Sequence, residues 1–120
     1  MNCPFCAIPE QSILVQNEHF FAISDRFPVS KGHALIISKR HIENYFELSG
    51  AEAAALHELS LKLKDLLQER HHPDAFNLGM NCGQIAGQSV FHFHMHVIPR
   101  YSGDKKKAIR GLKEYIREII

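Results

Sequence analysis

Residues 91–98 read Phe-His-Phe-His-Met-His-Val-Ile. No other stretch restricts the fold so tightly. Side chains on a strand alternate between its two faces, so His92, His94 and His96 fall on one face and Phe93, Met95 and Val97 on the other. Successive rings are then attached roughly 6.5–7 Å apart. Core packing does not explain three imidazoles in a row. A purely structural strand would have to find a partner for each buried ring, whereas a metal, a phosphate or catalysis at nitrogen uses all three.

The strand must belong to a compact body. At 120 residues the chain reads as a single domain over residues 1–120, with 45% hydrophobic and 22% charged residues, as in ordinary globular proteins. A net charge of +1 speaks against a nucleic acid polymer or a membrane surface as partner. No apolar stretch approaches the roughly 20 residues of a membrane helix. The opening Met-Asn-Cys-Pro-Phe-Cys has neither the basic start nor the apolar run of a signal peptide. These features predict a cytoplasmic protein whose three cysteines are thiols or metal ligands rather than disulfides.

Periodicity predicts the remaining elements. Ser12–Gln16 and Phe20–Ser24 read as a hairpin around Asn17-Glu18, and Ala34–Ser38 as a central strand. Pro28 and Gly32 make residues 25–32 a loop. Ser49 and Glu52 have capping-box spacing, and Leu56, Leu59, Leu63, Leu66 and Leu67 recur at helical spacing. That helix, about five turns long, ends near His71-His72-Pro73, where two histidines suit the negative end of the dipole. Phe76–Asn81 reads as a strand and Cys82–Ser89 as a loop. Val90–Ile98 is the histidine strand, stopped by Pro99. Ile109, Leu112, Ile116 and Ile119 predict a C-terminal amphipathic helix. The expected class is α+β: a largely antiparallel five-stranded sheet, one long central helix and a C-terminal helix.

Two chemistries compete for the histidines. Three imidazoles can hold a catalytic zinc, but the outer pair is about 13 Å apart at Cα and no carboxylate follows closely in sequence. Alternatively the middle ring is a nucleophile toward phosphorus, and its neighbours orient it and the leaving group. The preceding loop, residues 81–89, places amide and hydroxyl donors between glycines and suits an anion, which favours the second reading.

Together these segments resemble the histidine triad (HIT) superfamily of nucleotide hydrolases and transferases. The resemblance rests on His92-Phe93-His94-Met95-His96-Val97-Ile98 and extends over nearly the whole chain. Asp25…Gly32-His33-Ala34-Leu35-Ile36-Ile37 resembles the ribose-side segment, Lys39-Arg40-His41-Ile42 the Lys-Lys-His-Ile turn, and Asn81…Gly87-Gln88-Ser89-Val90 the phosphate-side loop. The resemblance implies that His94 attacks the α-phosphate of a nucleotide conjugate to give a nucleotidyl-histidine. It implies that His96 assists the leaving group, that His92 supports His94, and that His33 packs behind the row. It also implies that Asn81, Gly87, Gln88 and Ser89 contact phosphate and that Asp25 holds the ribose. An acceptor-only carboxylate suits a diol, although an aspartate here also suits a turn cap. The implied substrates are dinucleoside polyphosphates or nucleoside phosphoramidates of a purine, and the implied assembly is a homodimer. Phosphorylase or nucleotidyl transferase chemistry uses the same intermediate; a zinc-containing regulatory module that only binds nucleotide is the non-enzymatic alternative.

Cys3-Pro4-Phe5-Cys6 has zinc-ligand spacing but needs two further ligands. The pair does not open a strand-to-helix unit, as a redox motif would. The resemblance implies a structural zinc, one per chain, on Cys3, Cys6, His41 and His92. Cys82 reads as a small loop residue. After the triad, Pro99-Arg100-Tyr101-Ser102-Gly103-Asp104 departs from the Pro-Arg-Gly-Gly-like stretch of several relatives, and Lys105-Lys106-Lys107 reads as a solvated turn.

Overall fold

The computed structural model describes residues 3–104. Its five strands are β1 (Ile13–Gln16), β2 (Phe20–Ser24), β3 (Ala34–Ser38), β4 (Ala75–Gly79) and β5 (His94–Arg100), and its one long helix is α1 (Gly50–His71). They form one sheet in the order β1-β2-β3-β5-β4, with every neighbouring pair antiparallel. The expected C-terminal helix and the lysine run fall outside the described residues.

Each boundary has a local cause. The Asn17 carboxamide oxygen accepts from the His19 and Phe20 amides (2.9 Å each), closing the first hairpin, and its nitrogen donates to Ala55 O (2.9 Å) on the helix. Ser49 and Glu52 form the capping box. The helix ends at His72, held left-handed at φ 53°, immediately before Pro73. Leu56, Leu59, Leu63 and Leu67 are buried on one stripe, as their spacing predicts.

The histidine strand differs from expectation at both ends. It starts at His94, because β4 ends at Gly79 opposite His96 and the β3 ladder ends at Ile37 opposite His94. Phe93 still donates to Ile42 O (2.7 Å) and accepts from Ser38 N (3.3 Å), so the chain lies along β3 without a regular ladder. At the other end Pro99 does not stop the strand, which runs to Arg100. Pro99 and Arg100 face opposite neighbours: Arg100 O accepts from Asp74 N, whereas Pro99 O accepts from Ser30 Oγ (2.6 Å). Beyond the Ala34–Val97 pair the β3 side has no ladder left to break, so a residue without an N–H fits there. β4 is likewise shorter than Phe76–Asn81, because the chain leaves the sheet after Gly79.

The sheet has two unlike faces. Phe20, Ala22, Ile36, Phe93, Met95 and Val97 pack with the leucine stripe of α1. Phe21, Leu35 and Ile37 lie on the other face, covered by Phe5 and Ile8 from the N-terminal segment. His94 and His96 point to this second face.

Candidate active site

His92 and His94 are each pinned by a backbone carbonyl and His96 by the His33 ring, and these bonds decide which nitrogen faces the ligand. His92 Nε2 lies 2.7 Å from Ser38 O. A carbonyl only accepts, so Nε2 carries the hydrogen and Nδ1 keeps its lone pair. His94 Nδ1 lies 2.8 Å from the His92 carbonyl oxygen, so here Nδ1–H donates and Nε2 keeps the lone pair. His33 Nδ1 accepts from Val29 N (3.1 Å), leaving Nε2–H to donate to His96 Nδ1 (2.9 Å). His96 is then a donor through Nε2–H. The His94 and His96 rings sit 5.5 Å apart, inclined at 69°.

Burial keeps these rings neutral. Desolvation lowers the pKa of His33, His94 and His96; His96, also facing His33 and His94, falls to about 4. A neutral His94 with a free Nε2 is a competent nucleophile at pH 7. Asp25 serves two bonds: Oδ1 accepts from Phe27 N (2.9 Å), and Oδ2 lies 3.2 Å from His33 Nε2 and 3.6 Å from His96 Nδ1. Asp25 therefore caps its turn and also reaches the two histidines.

His33, His94, His96, Asp25, Asn81, Gly87 and Ser89 line one cavity of about 590 Å³. Gln88 stands apart from them. It is buried and braces the loop, accepting from Gly83 N (2.8 Å) and donating to Glu43 O (2.6 Å) and Val90 O (3.1 Å). The Gly87 and Gln88 amides donate within the loop, to Gln84 O and Gly83 O, and so brace it from inside. Gly83 and Gly87 take φ of +99° and +100°, which a side chain would oppose. Arg100 is buried, donates to Asn77 Oδ1 (2.8 Å), and its charge acts on His33.

The cavity also has a wall that sequence reasoning missed. Phe5, Ile8, Ile23 and Leu35 make it apolar, and Arg26 and Phe27 form its rim, with the guanidinium 5.7 Å over the exposed ring. The only signal available was the Arg-Phe pair directly after Asp25, inside a segment that reads as loop.

Beside the row lies a second cluster. Cys3, Cys6, His41 and His92 bring their donor atoms within 4.8 Å of one another. The His92 Nδ1 lone pair lies 3.3 Å from Cys3 Sγ, 3.5 Å from Cys6 Sγ and 3.0 Å from His41 Nδ1, and Cys6 Sγ lies 3.1 Å from His41 Nδ1. A tetrahedral zinc with bonds of 2.0–2.3 Å sets ligand atoms roughly 3.3–3.8 Å apart; the 3.3 and 3.5 Å separations fall in that range, and the 3.0 and 3.1 Å ones need only a small side-chain shift to reach it. A hydrogen bond with the Cys3 side chain, then burial and the Cys3 charge, push the Cys6 thiol up in pKa; a cation between the sulfurs would favour the thiolates.

Residues 8–103 match the HIT domain. The chain belongs to the HIT family. A HIT-like protein of Mycoplasma pneumoniae is 44% identical over 107 residues, covering 83% of this chain and 72% of that protein. A zinc-bound HIT protein of Mycobacterium smegmatis superposes with a TM-score of 0.76 at 33% identity, over 86% of this chain and 78% of the other. The AP-4-A phosphorylase of Mycobacterium tuberculosis is 30% identical over 107 residues, 84% of this chain and 55% of that enzyme. The α+β architecture described above is the HIT fold. Among the described residues no helix is long and apolar enough to cross a membrane.

Proposed function

We propose that this HIT protein is a nucleotide hydrolase. It cleaves the α-phosphate bond of dinucleoside polyphosphates or nucleoside phosphoramidates through a nucleotidyl-histidine at His94. The observation that carries this reading is the bond from His94 Nδ1 to the His92 carbonyl (2.8 Å), which leaves Nε2 unprotonated beside a cavity. Nε2 attacks the α-phosphorus, and the bond from phosphorus to the bridging atom breaks. His96 Nε2–H hydrogen-bonds that atom as charge develops on it; a polyphosphate leaves as its anion, and an amine leaves neutral after taking a proton from solvent. Water then attacks the phosphorus, the P–N bond breaks, a water proton passes to solvent, and the nucleoside monophosphate leaves a free imidazole.

Asp25, Asn81, Gly87 and Ser89 hold the ribose and phosphate, Gln88 acts from behind as the loop's brace, and the apolar wall takes the purine. The four-donor cluster holds one structural zinc per chain, which joins residues 3–6 to the sheet, and two chains associate as a homodimer. The AP-4-A phosphorylase among the relatives favours one second reading, in which phosphate rather than water accepts the nucleotidyl group. The test is a screen of adenosine and guanosine conjugates with rapid quenching. Mass spectrometry of the quenched protein is expected to find a nucleotide mass on the peptide containing His94. Product identity with and without phosphate separates hydrolysis from phosphorolysis, and turnover with no adduct on any histidine would remove the mechanism.

A further inference from the structure

The turn that carries the two thiols also carries part of the cavity wall. Cys6 N donates to Cys3 O (3.1 Å), closing a four-residue turn with Pro4 at its second position, where its fixed φ is favourable. Both sulfurs reach His92, and Phe5 is left at the corner between them. The Phe5 ring meets His94 edge-on at 5.0 Å and 68°, and His92 at 6.1 Å and 87°. It packs against the core of Phe21, Leu35 and Ile37 and lines the cavity.

Two edge-to-face contacts are weak against the conformational entropy lost when a four-residue segment is fixed. Aromatic contact alone therefore does not hold this turn in place; ligation of its two sulfurs by a metal would. The other route from the metal to the nucleophile, through His92, is anchored independently. Its ring is bonded to Ser38 O, and Phe93 is bonded to both Ile42 and Ser38. That route would survive loss of the metal, whereas the Phe5 route depends on it.

We infer that Phe5 is a positioning residue that couples the metal site to the reaction site: ligation of Cys3 and Cys6 sets the Phe5 ring against His94 and closes the cavity wall. What the cavity holds rests on the nucleotide reading above; the ring geometry does not.

The test uses zinc-loaded full-length protein and its Phe5→Leu variant, which keeps all four ligands, each before and after chelation. The His94 ring-proton resonances sense the Phe5 ring current without any ligand, and AMP titration reads the cavity. In the unaltered protein, chelation is expected to shift the His94 resonances and to weaken AMP binding about tenfold. In Phe5→Leu the resonances start displaced, AMP binding starts weakened, and chelation changes neither. An unmoved His94 resonance in the unaltered protein, an equal chelation effect in Phe5→Leu, or global unfolding on chelation would each overturn the coupling. Failure of the zinc-loaded protein to bind AMP would defeat the nucleotide reading alone, since the resonance comparison still decides the coupling.

Discussion

Two clusters of metal-binding residue types flank His94, and they are built for opposite work. In the first, Cys3, Cys6, His41 and His92, donor atoms converge and the His92 lone pair faces inward, because Ser38 O takes the hydrogen of His92 on the far side of the ring. In the second, Asp25, His33 and His96, the atoms are as close, but a hydrogen sits between them. Val29 N occupies His33 Nδ1, so His33 Nε2–H points into the cluster and is donated to His96. One invites a cation; the other is a hydrogen-bonded chain that ends at the cavity. Residue identity does not separate the two, but the backbone partners of His92 and His33 do.

The nucleophile between them should show the largest effect. His94→Ala is expected to lower turnover at least about a thousandfold while AMP still binds, checked by product release and by calorimetry. Residual hydrolysis above a few per cent would move the chemistry to another ring. Next in size is the metal cluster. Cys6→Ser or His41→Ala is expected to lose zinc by elemental analysis and to lower Tm on the order of 10 °C. His33→Ala is expected to keep its zinc and lose roughly 10–100-fold in turnover, since His96 then lacks the donor that fixes its tautomer. A variant of either cluster that showed the other's phenotype would break the contrast drawn here.

Much of this arrangement was legible in the sequence, and the gaps have physical causes. Period-two alternation placed His94 and His96 on one face, because that face is set by the pleat alone. The capping box at Ser49 and Glu52 was equally legible, being a contact between residues three apart. The ends of β5 were not, because they depend on where β3 and β4 stop pairing. Nor was the outward role of Gln88, whose partner Glu43 lies 45 residues away. The tautomers were illegible in principle: His92 and His94 look alike in the chain, and carbonyls at positions 38 and 92 distinguish them.

Acid titration sharpens the comparison at smaller amplitude. His94 must be neutral to attack, and burial lowers its pKa from 6.5. The pH profile of kcat/KM is therefore expected to stay flat from pH 8 to 6.5 and to fall only below it. An acidic limb centred above 6.5 would mean that the ring is not desolvated in solution.

The smallest effect concerns the helix start. Arg40 Nε and Nη2 lie 2.9 and 2.7 Å from the two Glu52 carboxylate oxygens. Hydrogen bonding to Arg40, then to Ser49 N, lowers the Glu52 pKa from 4.5 to about 2. A depressed carboxylate stabilises the fold above its unfolded pKa and loses that contribution as pH falls from 4.5 through 2. His96, lowered from 6.5 to about 4, has the same sign, since a ring buried neutral must be charged in acid, but its loss spans pH 6.5 to 4. The two sites thus destabilise the protein in successive windows. Arg40 is 56% exposed, so solvent screens the pair, and Glu52→Gln, which still caps, should cost only about 1 kcal/mol at pH 7. Chemical denaturation across pH is expected to show the lower window flattened in Glu52→Gln and the upper one unchanged. Flattening of the upper window instead would assign the acid sensitivity between pH 6.5 and 4 to the helix cap rather than to the histidine chain.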